Sequence, residues 1–338
     1  MKRDITIDIA KGIGIVLVVL GHVLINSDIN RLIYLFHMPL FFFISGIIFY
    51  STYNKNIKFK DYLLKKIKSI LIPYFIFSII YFIYWYFIER EIRLQPESLI
   101  TSNFYNIFLA YGIHDYFLPN VVMWFLACLF SSYILFYFIN KFKYMSIISL
   151  ILLFIGLLLS HYDIRLPWLL DSALVAQFIM YCGYKYKEKN LDKVNYFILV
   201  LEIIISIIVL YIFMKYNIMT GSIFINNYHN FIYFMIVSIS GTILILNISK
   251  LINLSKIVSI VFSYLGKNSI IIMICHEPIK RIILLLYSIY FDIKLDIIRS
   301  DLSYSLLITF IVIVVLVPII FIINRYLPFM IGRKKIKE

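Results

Sequence analysis

Charged residues are scarce in this chain, and their scarcity sets the first limit on its fold. Asp, Glu, Lys and Arg make up 15% of the 338 residues, whereas hydrophobic residues make up 62%. A soluble domain carries about 25% charged residues. The composition therefore excludes an ordinary soluble fold and predicts an all-α integral membrane protein, most of which lies in lipid.

Acidic residues are the scarcer kind. The chain has 18 Asp and Glu against 32 Lys and Arg, which gives a net charge of +14 at pH 7. A strongly basic chain can bind nucleic acid, but here the lysines fall in short segments between apolar runs and form no continuous basic face. They indicate membrane topology instead, because basic segments stay on the cytoplasmic side. We therefore expect no nucleic-acid partner.

Cysteines are few, and linkers and repeats are missing. Cys128, Cys182 and Cys275 each fall inside an apolar run, which excludes a disulfide framework or a cysteine-based zinc site and indicates core packing. The chain shows no low-complexity linker, no cleavable signal peptide and no internal repeat. We expect a single transmembrane domain over residues 1–338, without an appended soluble domain.

Long apolar runs dominate the chain instead. Ten of them reach the roughly 17 to 25 residues that cross a bilayer. Alternate connecting segments hold about three times as many Lys and Arg as the others, which predicts a bundle of about ten transmembrane helices with both termini cytoplasmic. The runs lie near residues 5–25, 31–52, 70–89, 121–140, 144–160, 166–184, 195–214, 230–249, 258–290 and 303–327.

The first run carries two groups that hydrocarbon rejects. Lys11 and His22 are eleven residues apart. At ~100° per residue, eleven steps exceed three helical turns by only about 20°, so both side chains lie on one stripe of the helix, ~16 Å apart along its axis. A lysine at mid-membrane costs roughly 2.5 to 3.5 kcal/mol, so the stripe is expected to face a polar interior, which we interpret as an active site.

Asp8 offers a simpler explanation of Lys11. The two residues are three apart, a spacing typical of an ion pair within one helix. Such a pair would account for both charges without any function. It would leave His22 unexplained, because His22 has no acidic residue within one turn of the same helix.

A proline and a pair of small residues shape the second run. His37 is followed by Pro39, which bends a helix and frees a backbone carbonyl. Ser45-Gly46 permits close approach of a neighbouring backbone. A bend next to His37 can open a polar cavity in the bundle; alternatively, Pro39 and Gly46 only shape helix packing.

The segment 55–70 is basic. Lys65, Lys66 and Lys68 precede Ile72-Pro73-Tyr74, and we predict an interfacial helix that runs into the third span. These lysines could instead serve only membrane topology and contact with anionic lipid.

Taken together, these motifs resemble the acyltransferase 3 family of integral-membrane acyltransferases, notably its fucose 4-O-acetylase-like branch. The resemblance covers about residues 5–327. It rests on Asp8-x-x-Lys11-Gly followed by His22, on His37-Met-Pro-Leu-Phe-Phe-Phe-Ile-Ser45-Gly46, on Lys65-Lys66-x-Lys68-x-x-x-Ile72-Pro73-Tyr74, on Trp124-Phe125-Leu126, and on Leu265-Gly266-Lys267-Asn268-Ser269 leading to His276.

The resemblance implies an enzyme that lies as a multi-pass protein in the cell membrane. It would transfer an acyl group, usually acetyl from cytoplasmic acetyl-CoA, to a hydroxyl group of a cell-surface carbohydrate or its lipid-linked precursor. His22 would be the essential histidine. Lys11 stands where the family more often has Arg, which keeps the charge but loses bidentate phosphate geometry.

From these expectations we assign roles. Lys11, Lys65, Lys66 and Lys68 are expected to attract the phosphates of CoA. His22 is expected to deprotonate the acceptor hydroxyl or to carry the acyl group itself. The remaining candidates would orient the acceptor or stabilise an oxyanion: His37, Ser45, Trp124 and His276.

Three other interpretations use the same residues. Ten helices with buried charges would also suit an exporter of a polysaccharide or a lipid-linked glycan, although no paired interrupted helices indicate one. A membrane sensor could bind a ligand in the same cavity without turnover. A metal site would use His22, His37 and His276, but no His-x3-His or Cys-x2-Cys spacing favours it, so no metal is expected.

Overall fold

The computed structural model describes residues 4–25, 27–53, 56–92, 99–111, 120–192, 195–216 and 221–333. Within these ranges the chain is helical, and its β-type pairing is confined to an isolated bridge between Ser222 and Asn227. The predicted all-α class is confirmed.

The helices follow the apolar runs of the sequence. In chain order they are α1 Ile5–Val23, α2 Asp28–Thr52, α3 Phe59–Ile92, α4 Leu99–Leu109, α5 Trp124–Ile139, α6 Met145–His161, α7 Leu170–Glu188, α8 Tyr196–Lys215, α9 Phe231–Ile252, α10 Lys256–Lys267, α11 Ser269–Phe291, α12 Leu295–Ser300 and α13 Leu302–Tyr326. Short 3-10 turns lie at Val121–Met123, Pro167–Leu169 and Pro328–Ile331.

Polar caps begin several of these helices. Asp4 precedes α1, and its side chain accepts a hydrogen bond from the Thr6 amide in the first turn. In the same way, the side chains of Asn195 and Asn230 accept from amides in the first turns of α8 and α9. These caps satisfy amides that have no partner within the helix. In α3, a π-helical turn at Ile67–Leu71 comes just before Pro73, and the wider turn accommodates a residue that has no amide donor.

Seven helices of the described chain are long and apolar enough to cross a membrane, namely α1, α2, α3, α8, α9, α13 and the segment Val121–Ile139 that contains α5. A bent pair, α10 with α11, would be an eighth span, with an angle of 78° between its halves. The predicted run 144–160 coincides with α6, which has 17 residues and is shorter than each of these seven helices. The predicted run 166–184 overlaps α7, which is not among the seven helices that meet the length and hydropathy of a span. The membrane-helical character is confirmed, and the number ten stays a prediction.

The described residues group into two compact units. Unit 1 comprises the described residues that fall within 1–45, 186–221 and 229–322; unit 2 comprises those that fall within 46–185, 222–228 and 323–338. Within unit 1, α1 packs mainly against α10 and also contacts α9 and α11, while α8 packs against α9.

Unit 2 contains α3 to α6 and most of α7. Its α3 is tied to α4 by Tyr74, whose hydroxyl donates to the Ile107 carbonyl at 2.9 Å. The turn before α7 is held by an ion pair, with Arg165 Nε 3.1 Å from a carboxylate oxygen of Asp171. Asp171 is fully buried, and Arg165 compensates its negative charge, which would be costly inside the unit without a partner.

Close contact between α1 and α10 requires glycine at two places. A Cβ atom on Gly12 would overlap the Phe262 carbonyl oxygen, and one on Gly266 would overlap the Asp8 carbonyl oxygen. Both obstacles are backbone atoms, which cannot rotate away. The two backbones therefore touch directly, as small residues allow in membrane helix pairs.

We predict that Gly266→Ala lowers the stability of the protein by about 1–3 kcal/mol, because the added methyl group forces α1 and α10 apart. Gly21→Ala is the matched control, since its Cβ would meet only side-chain atoms, the nearest being Ile33 Cγ2 at 3.3 Å. Thermal unfolding in detergent measures the difference. Equal midpoints for the two variants would contradict the prediction.

Candidate active site

The C-terminal end of α1 meets α11 within unit 1, and ionisable side chains gather there. His22 lies in the last turn of α1, and α11 contributes His276, Glu277 and Lys280. The His22 and His276 ring centroids are 5.1 Å apart, and His22 Nδ1 lies 3.8 Å from Glu277 Oε2. We call His22, His276, Glu277 and Lys280 the His22 cluster.

Glu277 is the anionic centre of the His22 cluster. Its side chain is almost fully buried, yet both oxygens accept hydrogen bonds from Lys280 Nζ, each at 2.8 Å. Arg281 Nη2 lies 3.1 Å from Oε1. The two cations follow Glu277 by three and four residues on the same helix, so α11 carries its own charge compensation. The charge of this buried carboxylate is thereby compensated by two cations.

The end of α1 is fastened by side chains from other helices. The last carbonyls of a helix have no partner within it, and here residues 21–24 all find one. Lys280 Nζ and Arg299 Nη2 both donate to the His22 carbonyl, at 3.2 and 3.3 Å, and Arg299 Nε donates to the Val23 carbonyl at 3.2 Å. Asn30 Nδ2 donates to the carbonyls on either side. The backbone of His22 is thereby fixed in position.

Backbone contacts define the tautomers of two further histidines. His276 Nδ1 lies 2.7 Å from the Met273 carbonyl oxygen, and His37 Nδ1 lies 2.7 Å from that of Ile33. A carbonyl oxygen can only accept a hydrogen bond, so both Nδ1 atoms carry the proton and both Nε2 atoms keep a lone pair. His276 is fully buried, and its Nε2 has no hydrogen-bond partner among the described residues.

His22 is placed to act in the same tautomer. Its Nδ1 faces the Glu277 carboxylate and also lies 3.5 Å from the hydroxyl of Tyr34, whose ring stacks edge-on with His37 at 5.0 Å. A carboxylate beside Nδ1 favours a proton there, which leaves Nε2 as the proton acceptor. Contacts of this kind are often long without substrate and shorten when the reactants bind.

Lys11 forms the ion pair that the sequence left open as an alternative. Its Nζ lies 3.1 Å from Asp8 Oδ1. Asp8 is buried, whereas the Lys11 side chain is 19% exposed and the His22 side chain 20% exposed. Both residues of the predicted stripe thus keep part of their surface accessible. The role of Lys11 in donor binding stays a prediction.

The other predicted residues lie apart from the His22 cluster or in unit 2. Ser45 is buried in α2, eight residues and about 12 Å along the helix from His37. Trp124 lies in unit 2, where its ring packs against Phe224 at 5.3 Å. Lys66 points at the Tyr133 ring, with Nζ 3.1 Å from the ring centroid, while Lys65 and Lys68 are exposed.

Sequence reasoning missed several members of this site. Lys280 and Arg281 had a signal, because they follow Glu277 at the spacing of helical ion pairs within an apolar run. Tyr34, Asn30 and Arg299 had none, since their roles arise only when α1, α2, α11 and α12 meet.

Three residues of this site also have the side-chain types of a metal site. His22, His276 and Glu277 each offer a ligand atom, and these atoms lie within 4.8 Å of one another. This set differs from the three histidines considered from the sequence. Both Glu277 oxygens are bound by the Lys280 ammonium, which would lie beside any cation held there. The arrangement fits proton transfer better than metal binding, and the expectation of no metal stays a prediction.

Comparison with known proteins gives one finding of similarity. A family model described as an acyltransferase domain, Acyl_transf_3, matches residues 4–325, nearly the whole chain. No curated protein and no solved structure matches the chain.

We predict that Glu277→Gln destabilises the protein by about 3–5 kcal/mol, because it leaves the buried Lys280 ammonium without its carboxylate. The single variant Lys280→Met should also destabilise the protein, because it leaves the Glu277 carboxylate with one cation fewer. The double variant Glu277→Gln, Lys280→Met removes both charges of the pair and should recover most of the loss seen in Glu277→Gln. Unfolding of the single and double variants in detergent measures the coupling. A double variant that loses the sum of the two single effects would show that the pair is not coupled.

Proposed function

Because the chain belongs to the acyltransferase 3 family, whose model matches residues 4–325, we propose that it is a membrane O-acyltransferase. It transfers an acetyl group from cytoplasmic acetyl-CoA to a hydroxyl group of a cell-surface or exopolysaccharide carbohydrate. Within the family we place it in the fucose 4-O-acetylase-like branch. The observation that carries the proposal is the contact of His22 with Glu277 at the fastened end of α1.

The proposed topology has ten transmembrane helices, both termini in the cytoplasm, and a single domain over residues 1–338 in the cell membrane. This orientation puts Lys11 toward the cytoplasmic end of α1 and His22 toward the outer end. The acyl donor then enters from the cytoplasm and the carbohydrate from outside. Lys11, Lys65, Lys66 and Lys68 attract the phosphates of CoA.

The chemical step is a direct transfer in this proposal. His22 Nε2 accepts the proton of the acceptor hydroxyl while the hydroxyl oxygen attacks the thioester carbonyl carbon. Collapse of the tetrahedral intermediate breaks the carbon–sulfur bond, and the proton passes from His22 to the departing CoA thiolate. Glu277 stabilises the imidazolium that forms in between, because its charge faces Nδ1. His37, Ser45, Trp124 and His276 serve to orient the acceptor or stabilise the oxyanion.

His22→Ala should lower ester formation by about 10²- to 10⁴-fold, the usual contribution of a general base. The measurement uses purified protein in lipid vesicles with radiolabelled acetyl-CoA and a glycan acceptor. His161→Ala is the matched control, because His161 is exposed at the end of α6 in unit 2. Full activity of a well-folded His22→Ala protein would refute the role of His22. An exporter or a sensor would form no ester in any variant.

Lys11 has two competing explanations that a pair of variants separates. If Lys11 holds the donor phosphates, Lys11→Gln should raise the KM for acetyl-CoA roughly tenfold or more, the effect of losing a charge-assisted hydrogen bond. The double variant Asp8→Asn, Lys11→Gln should show the same rise. If Lys11 only neutralises Asp8, the double variant regains the wild-type KM. Steady-state kinetics with acetyl-CoA as the varied substrate gives the answer.

A further inference from the structure

The end of α1 carries more positive charge than its own contacts use. Lys280, Arg281 and Arg299 converge there, and Glu277 pairs with the first two. Lys280 Nζ and Arg299 Nη2 donate to the same His22 carbonyl oxygen, at 3.2 and 3.3 Å. The distance between the two nitrogens therefore cannot exceed the sum of these two hydrogen-bond lengths. Two cations are thus held side by side next to the proposed base.

Arg299 is the member with donors to spare. A guanidinium group has five N–H donors. The structure uses two nitrogens, Nε on the Val23 carbonyl and Nη2 on the His22 carbonyl. Among the described residues, no acidic side chain forms an ion pair with Arg299. In contrast, the three N–H donors of the Lys280 ammonium form hydrogen bonds with both Glu277 oxygens and with the His22 carbonyl.

Capping of α1 accounts for the contacts of Lys280 and Arg299 with the His22 and Val23 carbonyls, but it does not require that the capping groups be charged. Asn30, a neutral residue, already donates to the neighbouring carbonyls of Gly21 and Leu24, at 2.7 and 2.6 Å. The negative end of the α1 dipole offsets only about half a charge. Arg299 therefore keeps a positive charge that no acidic side chain of the described residues pairs with, and a free guanidinium of this kind favours an anionic partner from outside the chain.

We propose that Arg299 binds an anionic oxygen group of the acceptor, either a carboxylate or a phosphate. The neighbouring Lys280 adds to the positive charge that attracts this group, and the contact holds the acceptor hydroxyl beside His22. The acceptor class is then an acidic glycan or a pyrophosphate-linked glycan rather than a neutral one. The planar guanidinium matches either group through paired hydrogen bonds. This inference rests on the proposed acyl transfer and names the acceptor for it.

The first test measures binding without any acyl donor. The full chain in lipid nanodiscs is titrated with a glucuronate-containing tetrasaccharide, with the same tetrasaccharide after carboxyl reduction, and with geranylgeranyl pyrophosphate. We expect Arg299→Gln to weaken binding of the anionic probes about 10- to 100-fold and to leave the neutral probe unchanged. Arg299→Lys should retain part of the affinity. The anionic probe that binds more tightly identifies the source of the group.

Arg31→Gln is the matched control, because Arg31 pairs with Asp28 at an exposed position of the same unit. It should leave binding of all three probes unchanged. Equal affinity of wild-type protein for the reduced and the unreduced tetrasaccharide would overturn the proposal. So would an Arg299→Gln variant that binds the anionic probes as tightly as the wild type.

The second test separates this inference from the proposed function. With acetyl-CoA present, the ratio of kcat/KM for acidic over neutral acceptor should fall at least tenfold in Arg299→Gln. Equal loss with both acceptors, or a raised KM for acetyl-CoA alone, would overturn the acceptor role while acyl transfer stands. If no ester forms with any acceptor, while anion binding still depends on Arg299, acyl transfer would be overturned and the anion site would stand.

Discussion

The site depends on one carboxylate. Glu277 is buried within unit 1, so it must be paired with positive charge, and Lys280 and Arg281 supply that charge from the next turn. Lys280 then uses its remaining donor on the His22 carbonyl. The requirement to neutralise one buried charge therefore links α11 to α1 and sets the position of the proposed base.

The sequence was sufficient for the helical membrane character and for the contacts that lie within one helix. The Asp8–Lys11 pair follows from a spacing of three, and Glu277 with Lys280 and Arg281 could have been found in the same way. The meeting of His22 with His276 could not, because it depends on how α1 packs beside α11. Nor was the 78° bend between α10 and α11 predicted, although the polar stretch Gly266-Lys267-Asn268-Ser269 interrupts the apolar run at that point.

The arrangement joins two ideas that the sequence kept separate. A stripe on α1 was expected to face a polar interior, and an intrahelical ion pair was its simpler alternative. The structure contains the ion pair at Lys11 and, at the other end of the stripe, a second polar group from α11 around His22. The two ends of the stripe therefore differ: one has an ion pair within α1, and the other has a cluster shared between two helices. Such a difference suits a protein that binds two different substrates at two depths.

The most direct measurement is a cryo-EM structure of the protein with a glycan acceptor and a non-transferable acetyl-CoA analogue. The account predicts that the acceptor hydroxyl oxygen lies within about 3.2 Å of His22 Nε2, the reach of a hydrogen bond to a general base, with Glu277 on the Nδ1 side of the ring. An acceptor hydroxyl that approaches a different base, with His22 turned away from both substrates, would contradict it.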